Sequence, residues 1–224
     1  MNLYWHFDET FYISRRLHFG LCASYTLALG NIDVDLRHWD EEHQHGMTKA
    51  NESTGKAEET PEEAEKAWQK IIDDRRREAK KALSDGECCR ALFLLGQALH
   101  STQDREAHHG MTNPEHAVLE LRGKSPDDNR AGHRKAKLRT REFLRDFLAN
   151  LSREDREKLK NCPCDCIDGL PHGKYNIDLG GFKRIGLRFL LNKRKYDKIR
   201  WPESTPPKMA QEPKEQKPPT SEPY

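Results

Sequence analysis

The sequence predicts an all-α fold, in which a multi-helix domain is followed by a short irregular C-terminal extension. Apolar residues before residue 160 recur at intervals nearer 3.6 than 2 residues, which is the period of a helix. A helix start is recognisable at residues 60–63, and no segment before residue 160 keeps a period of 2. Since 34% of the 224 residues are hydrophobic and 34% are charged, there is apolar material for one helical core.

The expected helices follow one another along the chain. Residues 9–30 predict two short helices joined by a turn at Gly20, because their apolar residues fit a helical period better than a strand period. Residues 46–61 are polar and predict a loop. At its end, Thr60 is a good N-cap and Pro61 suits the first helical position. The helices expected from there on span about 60–83, 87–108 and 128–151.

The composition divides the chain into three regions. Residues 1–160 form the predicted helical domain, and residues 161–201 form an extension with cysteine, glycine and many basic residues. A short hairpin is one interpretation of residues 172–181 within that extension. Residues 202–224 are rich in proline, glutamate and lysine, so they cannot bury enough apolar surface to offset their ordering entropy. We expect this tail to be disordered.

Charge, hydropathy and cysteine content bound the cellular setting. The 39 lysine and arginine residues nearly cancel the 37 acidic residues, so the whole-chain charge indicates neither nucleic acid nor membrane. No run of about 18 apolar residues occurs, and the N-terminus resembles no Sec signal peptide. We therefore expect a cytoplasmic protein, or an effector exported without a Sec signal.

Six cysteines are present, and without an export signal reduced thiols are expected. Cys162, Cys164 and Cys166 are too close in sequence for a zinc knuckle of the CxxC type, so they are a weak metal signal. Redox and crosslinking roles for these three residues stay open.

The strongest pattern lies between residues 94 and 120, LLGQALHSTQDREAHHGMTNPEHAVLE, where four of the eleven histidines fall within 100–116. On a helix, His100, Asp104 and His108 lie along one stripe, with about 6 Å between neighbours. Two imidazoles and a carboxylate in this arrangement can converge on a metal ion, and zinc suits such a ligand mixture. The alternative is an exposed polar helix face that binds nothing.

The phrase LGQALHSTQDREAHHGMTNPEHA resembles the signature helix of the zinc-dependent phospholipase C superfamily, whose fold is shared by fungal-type single-strand nucleases. The N-terminal stretches HFDETFYISRRL and LALGNIDVD also resemble the beginning of bacterial members, so the similarity covers roughly residues 4–150. A G-x-x-L-H-x-x-x-D helix in that superfamily supplies a histidine ligand and a metal-bridging aspartate. The resemblance implies these roles for His100 and Asp104, and a ligand role for His108 or its neighbour His109.

The resemblance implies further metal ligands away from this helix. His6 corresponds to an early histidine ligand, and His45, or else His43, to a histidine that follows the second helix. Asp33 or Asp35 would bind metal and help to activate water. The ligands implied in the later part of the chain are the pair His116 and Glu120, with His133 ranked lower. Two zinc ions are implied, or three if the third site does not need the N-terminal tryptophan that family members use; the tryptophan nearest Met1 is Trp5.

The function implied by this resemblance is zinc-dependent phosphodiester hydrolysis, most of all of the phospholipase C type, with a metal-activated water. A single-strand nuclease of the same fold is an alternative substrate class, and a toxin or effector role is implied as for bacterial relatives. Basic and apolar residues of 182–201 suit peripheral contact with anionic lipid, contact with nucleic acid, or a solvated surface. A non-catalytic helical metal-binding effector or adaptor module is the contrasting alternative.

Overall fold

The computed structural model describes residues 3–108, 110–126 and 129–164. Helices account for 74% of this part of the chain, and within it β structure is limited to one antiparallel bridge, between Ala50 and Ala57. The predicted all-α class is confirmed. The helices are α1 (Leu3–Arg16), α2 (Leu21–Arg37), a 3-10 helix (Glu42–His45), α3 (Pro61–Ser84), α4 (Cys88–His108), α5 (Asn113–Leu121), α6 (Arg130–Ala149) and α7 (Arg153–Lys160). None of the described helices is long and apolar enough to cross a membrane.

The start of α3 follows directly from its first residues. The Thr60 hydroxyl accepts a hydrogen bond from the backbone N–H of Glu63, and the Glu63 carboxylate accepts one from the backbone N–H of Thr60. This reciprocal pair satisfies two N–H groups that an uncapped helix leaves without a partner. The predicted start of this helix is therefore confirmed, with Pro61 at its first position.

Removing the Thr60 hydroxyl tests this cap. Thr60→Ala is expected to lower the free energy of unfolding by about 1 kcal/mol, because the N–H of Glu63 loses its acceptor. Urea denaturation followed by circular dichroism measures the change. Thr60→Ser keeps the hydroxyl and should retain most of the stability; an equal loss in both variants would contradict the cap.

Two described helices, α5 and α7, are absent from the predicted set. Each has a cap that the sequence shows: Thr112 accepts from the N–H of Glu115, and Ser152 accepts from the N–H of Asp155. Both helices are short, with nine and eight residues, so they have too few turns to show a clear apolar stripe. The break predicted at Gly20 is present, although α1 begins earlier and α2 ends later than the 9–30 segment.

The helix α4 forms the centre of the domain, packed by α2, α3 and α6. Its residues from Ala91 to Asp104 are all buried. Gly30 of α2 and Gly96 of α4 lie at the point where these two helices cross. A Cβ atom on Gly30 would lie 2.0 Å from the carbonyl oxygen of Phe93, and one on Gly96 would lie 2.2 Å from that of Leu27. The two backbones are therefore in direct contact, which brings the polar side chains of α2 against α4.

Disulfide bonds tie the end of the described chain to the start of α4. Cys88 pairs with Cys162 and Cys89 pairs with Cys164, with Cα–Cα distances of 5.9 and 5.5 Å. Cys22 is disulfide-bonded as well. The expectation of reduced thiols is therefore wrong for these residues. The reason is tertiary: α7 returns the chain to the first turn of α4, at a separation that a disulfide can span.

Several predictions fall outside the described residues. They concern the hairpin at 172–181, the basic segment at 182–201, the disordered tail at 202–224, and Cys166. The last described helix, α7, ends at Lys160, where the predicted helical domain also ends.

Candidate metal centre

Buried polar side chains meet where α1, α2, α4 and the 3-10 helix come together. The helix α4 places His100, Asp104 and His108 on successive turns of one stripe, as the spacing predicted. The other elements add three more side chains. The six residues, with their exposed fractions, are His6 4%, Asp35 1%, His45 4%, His100 0%, Asp104 3% and His108 3%.

Four of these residues form a compact group of possible metal ligands. One side-chain N or O atom from each of Asp35, His45, His100 and Asp104 lies within 4.8 Å of all the others. His100 Nε2 and His45 Nδ1 lie 2.9 and 3.2 Å from Asp104 Oδ2. Asp35 Oδ1 lies 3.6 Å from His100 Nε2, while Asp35 Oδ2 is buried without a hydrogen-bond partner. This mixture of imidazole and carboxylate donors fits a divalent metal ion.

Asp104 uses its two carboxylate oxygens on different partners. His6 Nε2 lies 2.9 Å from Oδ1, whereas His45 and His100 face Oδ2. His108 Nδ1 lies 3.7 Å from Oδ2 and forms a 3.1 Å hydrogen bond with the backbone carbonyl of His45. The carboxylate of Asp104 is thus the common contact of all four histidines.

The outer nitrogens of three imidazoles face oxygen acceptors. His6 Nδ1 lies 2.8 Å from Gln103 Oε1, and His100 Nδ1 lies 3.2 Å from Asn31 Oδ1. His45 Nε2 lies 3.1 Å from the backbone carbonyl of His38. Because these oxygens can only accept, each outer nitrogen is the protonated one, and in a neutral ring the inner nitrogen presents a lone pair.

The inner lone pairs therefore point at carboxylate oxygens that also bear lone pairs. Contacts of 2.9–3.2 Å between such atoms are repulsive unless a cation lies among them. Either a proton on the ring or a metal ion can supply that positive charge. Hydrogen bonds from metal-bound histidines to outer oxygen acceptors are the usual arrangement in metal sites, and they fix the ring orientation.

A connected hydrogen-bond network holds the outer acceptors. The Asn31 amide donates to Thr10 Oγ1 and to Gln103 Oε1, at 2.8 and 3.0 Å. The Gln103 amide donates to Thr10 Oγ1 and Thr140 Oγ1, at 3.0 and 2.9 Å. All four residues are buried, so the network joins α1, α2, α4 and α6 around the histidines and restrains their rotamers.

The charges in the group are strongly coupled. Burial opposes protonation of His6, but the Asp104 carboxylate outweighs it and raises the pKa of His6 to about 9. Burial lowers the pKa of His100. Burial also disfavours the Asp104 carboxylate, yet the imidazoles of His100, His6 and His108 hold the pKa of Asp104 well below its usual range. Asp104 is therefore ionised at neutral pH.

A tight turn positions His45. The 3-10 helix is followed by Gly46, whose φ of 61° is in the left-handed region that favours glycine. A Cβ atom here would also lie 2.4 Å from the Cα of Arg105, so the turn packs directly on α4. The indole N–H of Trp68 donates to the Met47 carbonyl at 2.7 Å, which holds the chain just after the turn.

The two candidate aspartates of α2 face different surroundings. Asp35 belongs to the compact group, whereas Asp33 forms an ion pair with Arg37 and accepts a 2.8 Å hydrogen bond from the Gln97 amide. Residues two apart on a helix point in different directions. The structure therefore places Asp35, and not Asp33, among the possible ligands.

His43 and His133, the alternative ligands that the resemblance implies, lie outside the compact group. His43 Nε2 pairs with the Glu59 carboxylate at 2.6 Å. The His133 ring stacks on Trp5, with ring centroids 4.6 Å apart. His109, the neighbour of His108, is not among the described residues.

The late pair His116 and Glu120 is also outside the compact group. The His116 ring contacts the His108 ring edge-on, with centroids 4.8 Å apart. It therefore contacts a neighbour of Asp104 and is not itself part of the group. Glu120 accepts a hydrogen bond from the Ser125 hydroxyl. The compact group of possible ligands therefore includes neither of these two residues, although both are predicted as ligands.

Sequence reasoning missed the residues that orient the histidines. Gln103 lies three residues after His100, and Asn31 lies one helical turn before Asp35. The available signal is a buried polar residue one turn from a predicted ligand, because core positions are rarely polar without a specific partner. Thr10 gives no comparable signal in the sequence.

A narrow crevice leads towards Asp104. Trp5, His6, Gly132 and His133 are among the residues that line it, and its free volume of about 10 Å³ is enough for roughly one water molecule. The Asp104 side of the centre is therefore accessible to water and small ions.

The fold and the centre together describe an all-α protein with a buried histidine and aspartate group that could bind a metal ion. Comparisons of the chain with protein-family models, curated proteins and solved structures found no match. The resemblance to the zinc-dependent phospholipase C superfamily stays a prediction.

Loss of one outer acceptor should weaken metal binding without removing a ligand. Asn31→Ala is expected to lower metal affinity roughly 10–100-fold, because His100 loses the amide that orients its ring. Competition with a chromophoric chelator measures the affinity. Asn150→Ala, which changes an exposed asparagine on α6's C-terminal end, is the control and should bind like the wild type; equal affinities in all three proteins would contradict the assignment.

Proposed function

We propose that this protein is a zinc-dependent phosphodiester hydrolase, in which Asp35, His45, His100 and Asp104 would hold the metal and His6, next to Asp104, would be a further ligand. The observation that supports it is that the inner imidazole nitrogens of His6, His45 and His100 face the buried Asp104 carboxylate, with Asp35 beside His45 and His100. Bound zinc supplies a water of lowered pKa and polarises a phosphoryl oxygen.

The residues of the centre would have different roles in metal binding, proton transfer and ring orientation. Asp104 has histidine contacts at both carboxylate oxygens, so either oxygen could help to hold metal. Asp35 has a buried oxygen without a hydrogen-bond partner, which suits a second ligand bond or the acceptance of a proton from water. Gln103 and Asn31 keep the rings of His6 and His100 in the binding tautomer.

The small size of the crevice favours a second function, that of a non-catalytic metal-binding module. The crevice beside Asp104 has room for about one water molecule, so a phosphodiester needs the Trp5 and His133 side chains to move before it reaches the centre. A metal ion that only stabilises the helices, in an effector or adaptor module, requires no such opening. The hydrolase and the non-catalytic module would both bind the metal, but only the hydrolase would cleave a phosphodiester.

Metal analysis combined with a hydrolysis assay separates the outcomes. The purified chain should retain stoichiometric zinc after dialysis, and it should release nitrophenol from bis(p-nitrophenyl) phosphate in a chelator-sensitive reaction that zinc restores. Phosphatidylcholine and single-stranded DNA then test the two substrate classes. Retained zinc without turnover of any of these substrates would favour the non-catalytic module, and absence of bound metal would refute both.

Control variants make the assay specific. His100→Asn removes a buried imidazole from the group and should abolish turnover. His18→Asn removes an exposed imidazole, and asparagine tolerates the left-handed backbone at that position, where φ is 65°. Activity that survives in His100→Asn would exclude this centre as the active site.

A further inference from the structure

The outward face of α6 has a row of arginines that neither the metal centre nor the core explains. Arg130, Arg134, Arg141 and Arg145 follow one another at intervals of four, seven and four residues, which places them along one side of the helix. The buried face of α6 is the opposite one, with residues such as Ala136, Thr140, Phe143 and Phe147. The row extends about 22 Å at 1.5 Å per residue.

The four arginines of this row have no carboxylate partner among the described residues. None of the four has a hydrogen bond or ion pair with any residue in 3–108, 110–126 or 129–164. By contrast, Arg139 on the same helix and Arg76, Arg77 and Arg105 on other helices each pair with an acidic side chain.

The acidic residues of α6 do not neutralise the row. Glu142 pairs with Arg139, and Asp146 pairs with Arg76 of α3. The positive charge of the row is therefore uncompensated on this side of the described structure.

The row leads to the crevice of the metal centre. Arg134 directly follows His133, whose ring stacks on Trp5 at the crevice wall. A ligand with phosphates along α6 would thus have one of its ends next to the entrance that leads to Asp104. Arginine binds phosphate oxygens through its planar fork of N–H groups, and aromatic rings beside a basic groove are typical of single-strand binding.

From this geometry we infer that α6 binds the phosphate backbone of a single nucleic-acid strand. A membrane surface fits less well, because Leu138, 56% exposed, is the one large hydrophobic side chain exposed on α6, and interfacial helices need a broad apolar face. Strand binding itself is independent of catalysis; the further step, that the bound strand is the substrate, rests on the proposed hydrolase function.

Fluorescence anisotropy with the full chain tests the inference. The probe is a fluorescein-labelled DNA single strand of about 20 nucleotides, longer than the roughly 4–16 nucleotides that such sites cover. The triple variant Arg134→Gln, Arg141→Gln, Arg145→Gln is expected to bind about 100-fold more weakly near 0.1 M salt, because each phosphate contact contributes a factor of about 5 there. Its log–log salt slope should be less steep by about 2.

A matched triple variant controls for net charge. Lys66→Gln, Lys70→Gln, Arg77→Gln removes the same charge from exposed positions of α3 and should bind the strand like the wild type. Circular dichroism verifies that both triple variants are folded. Equal losses in the two variants, or undiminished binding by the α6 variant, would overturn the inference.

Two further measurements distinguish strand binding from lipid binding and from strand cleavage. Vesicles of phosphatidylserine and phosphatidylcholine test the lipid alternative: α6-dependent binding to vesicles, with no binding to the strand, would overturn the inference. Gel analysis of the recovered strand scores cleavage separately from binding. An intact strand that binds through α6 supports this inference while counting against the nuclease reading of the proposed function.

Discussion

Asp35→Asn is expected to abolish stoichiometric metal binding and with it any metal-dependent turnover. The change removes the negative charge of one possible ligand from a buried group in which His100 and Asp104 lie close by, while the side chain keeps its size. The loss of affinity should exceed the roughly 10–100-fold that follows from losing an outer hydrogen-bond partner. Zinc content after dialysis, and the affinity from chelator competition, measure the effect.

The neighbouring aspartate supplies a matched control. Asp33→Asn also neutralises a buried carboxylate of α2, but that carboxylate pairs with Arg37 outside the group. This variant should lose stability and keep its zinc. Metal retained by Asp35→Asn, or lost only by Asp33→Asn, would show that the ligands are assigned to the wrong side of α2.

Thermal unfolding gives an independent measurement of the same assignment. A ligand that binds only the folded state stabilises the wild type by about 2.7 kcal/mol when its free concentration is about 100 times the dissociation constant. Addition of zinc should therefore raise the melting temperature of the wild type and of Asp33→Asn. The melting temperature of Asp35→Asn should not respond.

Gly96→Ala is expected to destabilise the domain by about 1–3 kcal/mol or more, because the added methyl group would meet the backbone oxygen of Leu27 at 2.2 Å. In a helix without such a neighbour the same substitution would stabilise by up to about 1 kcal/mol. The sign of the change is therefore diagnostic. Urea denaturation measures it, and Gly30→Ala should show a loss of the same sign at the same crossing.

The metal affinity of Gly96→Ala gives a second readout. Separation of α2 from α4 would move Asn31 and Asp35 away from His100, so zinc affinity should fall together with stability. A Gly96→Ala protein that is more stable than the wild type would refute the close crossing of these helices.

The stripe of α4 could be predicted from sequence because it is a local property. His100, Asp104 and His108 are four residues apart, and a helix at that position fixes their common direction. The choice between Asp33 and Asp35 could not be made in the same way. The apolar pattern predicts a second helix only as far as residue 30, which leaves both aspartates beyond its end without a defined direction, whereas α2 continues to Arg37.

The outer hydrogen-bond network and the disulfides could not be predicted from the sequence, because they depend on contacts between distant segments. The outer network forms only where Thr10, Asn31 and Gln103 of three helices meet, and no sequence pattern indicates that these residues are close. The disulfides likewise depend on where α7 returns the chain. Spacing along the sequence predicts which residues share a helix face, but it does not predict which faces meet.

The two disulfides close the chain into covalent rings, since their partners are separated by 74 and 75 positions in sequence. Helices α4 to α7, with His100 and Asp104, lie inside both rings. A single backbone cleavage in the segment between α5 and α6 would therefore open the rings without releasing a fragment. The nicked molecule would keep the parts of its centre on one covalent framework until a reductant separated them.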